Sequence, residues 1–389
     1  MRYDVRAHLT KGEHVWPKRK NDDVPKSKKS TRVPREPKPL TFGRVIRRTF
    51  GVLLTFVVAA LVAVVGVAYL FCKGPSPAAR DLTVTTLLES GALKFIPGLF
   101  LTQDEITSIV GSTSLSDMDT SVLDADLIDT EQTGEEASAL DLDEVSIKEI
   151  SGRTYFGKLM IVNDPSRVKV GTTYPFGVDG KDLDQIVEQS GAIGGVNGGL
   201  YYNDPGHGGY PLGVVVSGGE IQLMDVSEVG LYLVGMDNDN LLQIVDIQGM
   251  SEGEVTELIA QRGIRDAVCF QDESSDANNH FVPLVINGEA REMGGLGSGA
   301  NPRTAIGQRA DGAILLLVTD GRGAQGHLGA TASDLISIML ENGAVNAANL
   351  DGGSSSSMYY DGQYEMTSVT LYFSNASWRM PDAFVVEAR

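Results

Sequence analysis

From Thr49 to Phe71 the chain runs for about 23 residues without a charge, GVLLTFVVAALVAVVGVAYLF at its centre. A helix needs about 20 such residues to cross about 30 Å of hydrocarbon. The run is longer than the apolar core of a cleaved signal peptide, and the basic region ahead of it is far longer than an n-region. Phe71 precedes Cys72, where a lipoprotein processing site wants a small residue. An uncleaved transmembrane helix over 49–71 is therefore expected.

Charge then orients it. Residues 1–48 carry about fifteen Lys and Arg, whereas the whole chain of 389 residues has a net charge of −19. The positive-inside rule puts 1–48 in the cytoplasm as a basic disordered tail, and the acidic bulk outside. An acidic domain lacks the basic surface that counterion release requires, so no nucleic acid partner is expected. The two cysteines, one at the membrane edge and one in an apolar run, are not expected to pair.

Beyond the membrane the chain divides by composition. Residues 72–110 show apolar positions interrupted by Pro97-Gly98, a membrane-proximal helical segment of two short helices. Residues 111–150 hold about a dozen acidic side chains against one Lys, and read as a flexible spacer with little apolar area to offset ordering entropy. From 151 to 389 the patterning is that of a globular α+β domain, strand-rich with a mixed sheet and few helices. Strands are expected at Tyr155–Val162, Leu231–Met236, Ala267–Phe270, Arg303–Gln308, Ala313–Thr319 and Val345–Leu350, among others. Ser251–Arg262 has a capping box with Glu254 and stops at Gly263, and Thr331–Asn342 stops at Gly343.

Two apolar strands each end in a carboxylate followed by glycine: Asp320-Gly321-Arg322 and Asp351-Gly352-Gly353, the latter leading into four serines. Glycine there lets a ligand approach the backbone, although Asp-Gly is also an ordinary turn former. Gly194-Gly195-Val196-Asn197-Gly198-Gly199-Leu200-Tyr201-Tyr202 suits a loop offering N–H groups and an aromatic face for a sugar, or a plain glycine-rich hairpin. Arg303 opens an apolar strand in Asn301-Pro302-Arg303-Thr304, where burial demands an anion. Arg322 and Arg379 are candidates to share phosphate binding, and His327 follows Arg322 closely. The chain has no HExxH, no metal-spaced Cys pair, no GxSxG and no P-loop. The Asp cluster leaves room for a divalent cation such as Ca²⁺, though no regular calcium loop is present. Asn375-Ala376-Ser377 has the form of a glycosylation acceptor.

NGGLYY (197–202), PLGVVV (211–216), NPRTAIG (301–307), TDGR (319–322), the TASDL helix start and NLDGGSSSS (349–357), in this order, resemble the phosphodiester glycosidase family over about 152–389. The resemblance implies an α+β fold and hydrolysis of a sugar-1-phosphodiester by an enzyme of the cell envelope. It points to surface polysaccharide or teichoic-acid-like material as substrate, with N-acetylglucosamine-1-phosphodiester as the type. Carried over by position, the motifs fall on Asn197, Gly198, Arg303, Thr304, Asp320, Arg322, Asn349, Asp351, Gly352, Gly353 and Ser354. Asp351, Asp320 and Arg303 are the catalytic candidates. The others, with Tyr201 and Arg379, are substrate-binding candidates. Three departures stand out: Ser354 replaces a third glycine, Leu200-Tyr201 replaces Phe-Phe, and Trp378-Arg379 replaces Glu-Arg. Other readings stay open: a non-catalytic binder of phosphate-containing surface glycans, or a structural partner in an envelope complex.

Overall fold

The computed structural model describes residues 41–91, 93–131, 141–202, 207–273, 280–368 and 377–389. Most of the basic tail (1–40), part of the acidic stretch (132–140) and Asn375-Ala376 lie outside the described residues. The chain forms two compact units, Met1–Ala60 and Leu61–Arg389. The apolar run lies in one helix, Phe42–Lys73, of 32 residues. By length and composition it is able to cross a membrane, and its most apolar window is not buried at all.

In the larger unit three sheets enclose one core. Seven strands run in the order Val145–Ser151, Phe156–Val162, Ile314–Thr319, Arg303–Arg309, Ala344–Asn349, Pro283–Ile286 and Glu289–Ala290. A five-stranded sheet orders Leu242–Asp246, Leu231–Asp237, Ile264–Gln271, Val214–Ser217 and Glu220–Met224. A second orders Gln363–Thr367, Ser357–Tyr360, Ala192–Asn197, Asp382–Glu387 and Val168–Thr172. Met160 and Leu316 of the first sheet, Val234 and Val268 of the second, and Val196 and Phe384 of the third meet in the shared core. Period-2 alternation supplies one inward face per strand. The outward faces take one helix each. Leu335, Ile336 and Met339 cover the first sheet, Val255 and Ile259 the second, and Leu183, Ile186 and Val187 the third.

The strand-rich α+β fold is as expected, and the strand pairings recorded are antiparallel. The capping boxes form at Ser251 with Glu254 and at Thr331 with Asp334. Gly194 to Asn197, expected as part of a ligand loop, lie instead in the strand Ala192–Asn197 inside a sheet. Gly194 and Gly195 have a physical reason to be there. A Cβ would stand 2.7 Å from the Tyr359 carbonyl oxygen at the first and 2.3 Å from that of Phe384 at the second.

The spacer reading of 111–150 fails in the described residues. Leu115 and Ile128 are buried, and Met118 and Leu123 pack against the core. The Ser116 N–H donates to the Glu292 carbonyl and that of Asp129 to Ala310. Val145–Ser151 then pairs as an edge strand with Phe156–Val162. A few apolar side chains spaced through an acidic stretch suffice to hold it down. The domain thus begins well before residue 151.

Candidate functional site

Antiparallel pairing sets the start of one strand beside the end of its neighbour, and this gathers the motifs. Arg303 lies opposite Thr319, so Asp320 and Arg303 share one sheet end. Ala305 lies opposite Asn349, and the Leu350 N–H donates to the Thr304 carbonyl, which brings Asp351 alongside. In the third sheet Ala383 lies opposite Asn197, so Asp382 meets Gly198.

Asn197 joins the sheets. Its Nδ2 donates to the Asp351 carbonyl at 2.7 Å, and its Oδ1 accepts from Thr304 Oγ1 at 2.7 Å and from the Ser357 N–H at 3.2 Å. Asn197 and Thr304 are buried and spent in these bonds, so they are internal ties rather than substrate contacts. Asn349 is likewise buried, donating to the Phe281 carbonyl.

Asp351 is half-buried, its carboxylate near Ser355 and the Gly352 N–H. Burial pushes its pKa up to about 6, against the pull of Ser355, Gly352 and the Arg322 charge. Facing it, Arg322 donates from Nη1 to Ser354 Oγ at 2.9 Å and makes no ion pair among the described residues. Its backbone has φ 53°, and its guanidinium crowds Gly353, where a Cβ would lie 2.6 Å from Nη2. Although Arg322 is exposed by area, its side chain is ringed by protein. That desolvation lowers its pKa, as does the charge of Arg303, while Asp351 and Glu89 oppose them.

Behind Asp351 stands a residue that sequence reasoning passed over. Asp382 is 1% exposed, with Oδ1 accepting the Gly199 N–H at 2.7 Å and Oδ2 unpartnered among the described residues. Burial raises its pKa to about 7, the Gly199 bond lowering it and the Asp351 charge adding to the rise. Gly198 is needed because a Cβ there would stand 2.2 Å from Asp382 Oδ1. Tyr201 turns inward, its hydroxyl 2.9 Å from Ser355 Oγ, with its pKa raised by burial and then by Asp351. Its ring is half-buried. The exposed ring of this pair is Tyr202.

The structure gives Asp320 and Arg303 other partners than expected. Asp320 has both oxygens engaged, one by the Phe156 N–H at 2.8 Å and one by His327 Nδ1 at 2.6 Å, so it orients a histidine. Arg303 does meet an anion, but one of the chain's own. Its Nη2 lies 2.5 Å from Glu89 Oε2, and its guanidinium also serves Ser298, the Gly299 carbonyl and the face of Phe281. Glu89 further accepts from the Gly299 N–H and from Asn301. The Arg379 side chain is exposed, with Nη1 3.4 Å from Asp179. No group of three or more His, Cys, Asp or Glu suited to a metal ion occurs among the described residues, so the Ca²⁺ expectation finds no donor set there.

The family profile of the phosphodiester glycosidases matches residues 190–387, just over half of the chain and the part that carries Asn197, Arg322, Asp351 and Asp382. The chain belongs to the phosphodiester glycosidase family. Its fold is shared with the zebrafish N-acetylglucosamine-1-phosphodiester alpha-N-acetylglucosaminidase catalytic domain, auto-inhibited by its pro-peptide. That match has a TM-score of 0.50 at 17% identity and covers 65% of this chain and 85% of that one. A putative exported protein of Burkholderia pseudomallei aligns at 16% identity with a TM-score of 0.41, over 60% of this chain and 74% of that one. An uncharacterized SPbeta prophage-derived protein of Bacillus subtilis, YomE, is 45% identical over 64 residues, 16% of this chain and 10% of that protein. The match therefore spans only a tenth of that relative's length. Within this family fold Arg322 and Asp351 lie within electrostatic reach of each other, Arg322 donates to Ser354, and His327, held by Asp320, is partly exposed beside Arg322 in sequence.

Proposed function

We propose that this chain is a membrane-anchored glycosidase that hydrolyses a sugar-1-phosphodiester outside the cytoplasm, with an N-acetylglucosamine-like sugar in cell-surface material as the type of substrate. The observation that carries the reading is the pairing of an arginine free of any ion pair among the described residues with a half-buried carboxyl group raised to about 6. The long apolar helix at 42–73 supports the anchor.

Arg322 binds the phosphodiester, and its fork suits two phosphate oxygens. As the bond between the anomeric carbon and oxygen breaks, negative charge grows on the departing phosphate monoester, where a preorganised guanidinium acts most strongly. Phosphate leaves readily, so little acid assistance is required. Asp351, near the operating pH, takes the proton of a water whose oxygen attacks the anomeric carbon. The products are the free sugar and a phosphate monoester. Asp320 is not the reacting group in this reading, because both of its oxygens are held.

The test is release of phosphate monoester from N-acetylglucosamine-1-phosphodiesters by the purified full chain in detergent, compared with Asp351→Asn. Release by the wild type that disappears in the variant supports the reading. A folded wild-type protein that binds these esters without turning them over would instead be a glycan binder.

A further inference from the structure

The short segment between the two membrane-proximal helices leaves its large apolar side chains uncovered. Helix Pro77–Leu88 and helix Gln103–Ser112 flank it. Phe95 is 62% exposed, Leu99 65% and Leu93 44%, with Lys94 the one charge among them. Such clustering marks an interaction surface.

Its neighbours say what covers it. Ile96 lines one groove with Ala63, Val64, Val67 and Phe71 of the apolar helix, and with Leu87. The Tyr69 and Phe100 rings meet edge to face at 6.0 Å. Lys73, the first charge after the apolar run, is pinned by Glu105 at 2.6 Å. At 1.5 Å rise per residue, Val64 stands about 13 Å along the helix axis from Lys73. Leu93–Leu99 therefore lies beside the stretch of helix that the bilayer would surround, and its bare side chains continue that apolar surface. Lys94 reaches the headgroups by extending its stem.

We infer that Leu93, Phe95 and Leu99 insert into the outer leaflet, so that the domain is seated on the bilayer and its site faces a sugar-1-phosphodiester whose other ester is a membrane-embedded chain. The inference rests on the glycosidase and membrane-anchor reading above and narrows its substrate class. The site is tied to this seat by a short path. Glu89, which grips Arg303, Gly299 and Asn301, is four residues before Leu93, at most about 14 Å of extended chain. Thr86 adds a bond from the Ala300 N–H at 2.9 Å to its Oγ1. A substrate presented in the headgroup layer thus lies at the height of the motif loop.

The experiment uses the full chain in phosphatidylcholine vesicles, with Phe95→Cys or Leu99→Cys carrying an environment-sensitive fluorophore. The native Cys72 and Cys269 are buried. Val229→Cys, exposed on the domain, is the control. Spin-labelled lipids are expected to quench the probe at 95 and 99 at least about twofold more than at 229. Quenching equal to the control overturns the inference. So does a blue-shifted but unquenched probe, which would mean that protein, such as a second copy, covers the segment. In parallel, Phe95→Asp with Leu99→Asp is expected to lower hydrolysis of a long-chain alkyl N-acetylglucosamine-1-phosphodiester in the vesicles at least tenfold. Hydrolysis of the soluble methyl ester should stay unchanged. Equal loss on both esters overturns the substrate assignment. If the wild type hydrolyses neither ester, the glycosidase reading fails, and quenching alone decides the membrane seat.

Discussion

The Glu89 carboxylate and the Arg303 guanidinium, 214 residues apart in sequence, meet at 2.5 Å with side chains 3% and 10% exposed. Removing one partner of a buried pair strands the other, typically at about 3–5 kcal/mol. Glu89→Ala is therefore expected to lower the thermal midpoint of the full chain by several degrees without raising turnover. A rise in turnover would instead mean that this segment blocks the site. By the same reasoning a fragment starting at residue 151 is expected to aggregate, and one starting at 77 to fold. Circular dichroism and gel filtration of the two fragments check this.

Asp351→Asn is expected to reduce hydrolysis at least about 100-fold, in the range typical of a general base. Its thermal midpoint should hold or rise, because a half-buried carboxyl group held up at about 6 costs the fold something when ionised. Wild-type turnover should increase with pH through about 6 as this base loses its proton. A rate profile flat between pH 5 and 7 would remove Asp351 from the role.

Asp382 makes a prediction about stability rather than rate. A folded pKa of about 7 against an ordinary value of about 3.9 unfolded means the native state holds a proton that the unfolded chain has released. That contribution is fully present below about pH 4 and is lost as pH rises through about 7. In Asp382→Asn the loss disappears. The difference in midpoint, variant minus wild type, should grow by about 3 °C or more between pH 5 and pH 8. Parallel stability curves for the two proteins would contradict the burial of a protonated Asp382.

Arg322→Ala is expected to lower kcat/KM about 100- to 1000-fold, the usual loss when a donor to the developing charge is deleted. Arg322→Lys keeps the charge but not the fork and should recover only part of it. A loss confined to KM would make Arg322 a binding group without a share in the bond-breaking step.

Gly353→Ala probes the same guanidinium from the other side. The position has φ 63°, and the added Cβ would press within 2.6 Å of Arg322 Nη2. Turnover is expected to fall at least tenfold, with a stability loss of about 1–2 kcal/mol from the left-handed backbone. Undiminished turnover would show that Arg322 works from another position.

Long apolar runs such as Ile314–Thr319 and capped helices such as Glu252–Arg262 are legible in the sequence because burial and capping leave strong local signals. Ala192–Asn197 is not. Its glycines serve close strand contacts and look locally like a loop. Val145–Ser151 hides at the end of an acidic stretch, where Val145, Ile147 and Ile150 were the available signal. In the site, Asp351, Arg322 and Ser354 were reachable because they share short motifs. Asp382 opens a short apolar strand after Pro381, a faint echo of the pattern at 320 and 351, and only strand pairing reveals its neighbour. Glu89 ends a helix and reads as an ordinary polar cap, since its partner is distant in sequence. Asn197 and Arg303 stand out in the sequence, but the groups they satisfy belong to the chain itself.

Only Gly74, Pro75 and Ser76 separate the apolar helix, ending at Lys73, from helix Pro77–Leu88. So short a joint gives the domain no slack. With the helix embedded as proposed, the domain would travel only as fast as the helix drifts in the plane of the lipid. On that proposal encounters would occur in two dimensions, and the rate would depend on molecules of substrate per unit of surface. Diluting the surrounding medium would leave such a reaction untouched, whereas diluting the leaflet with inert lipid would slow it in proportion.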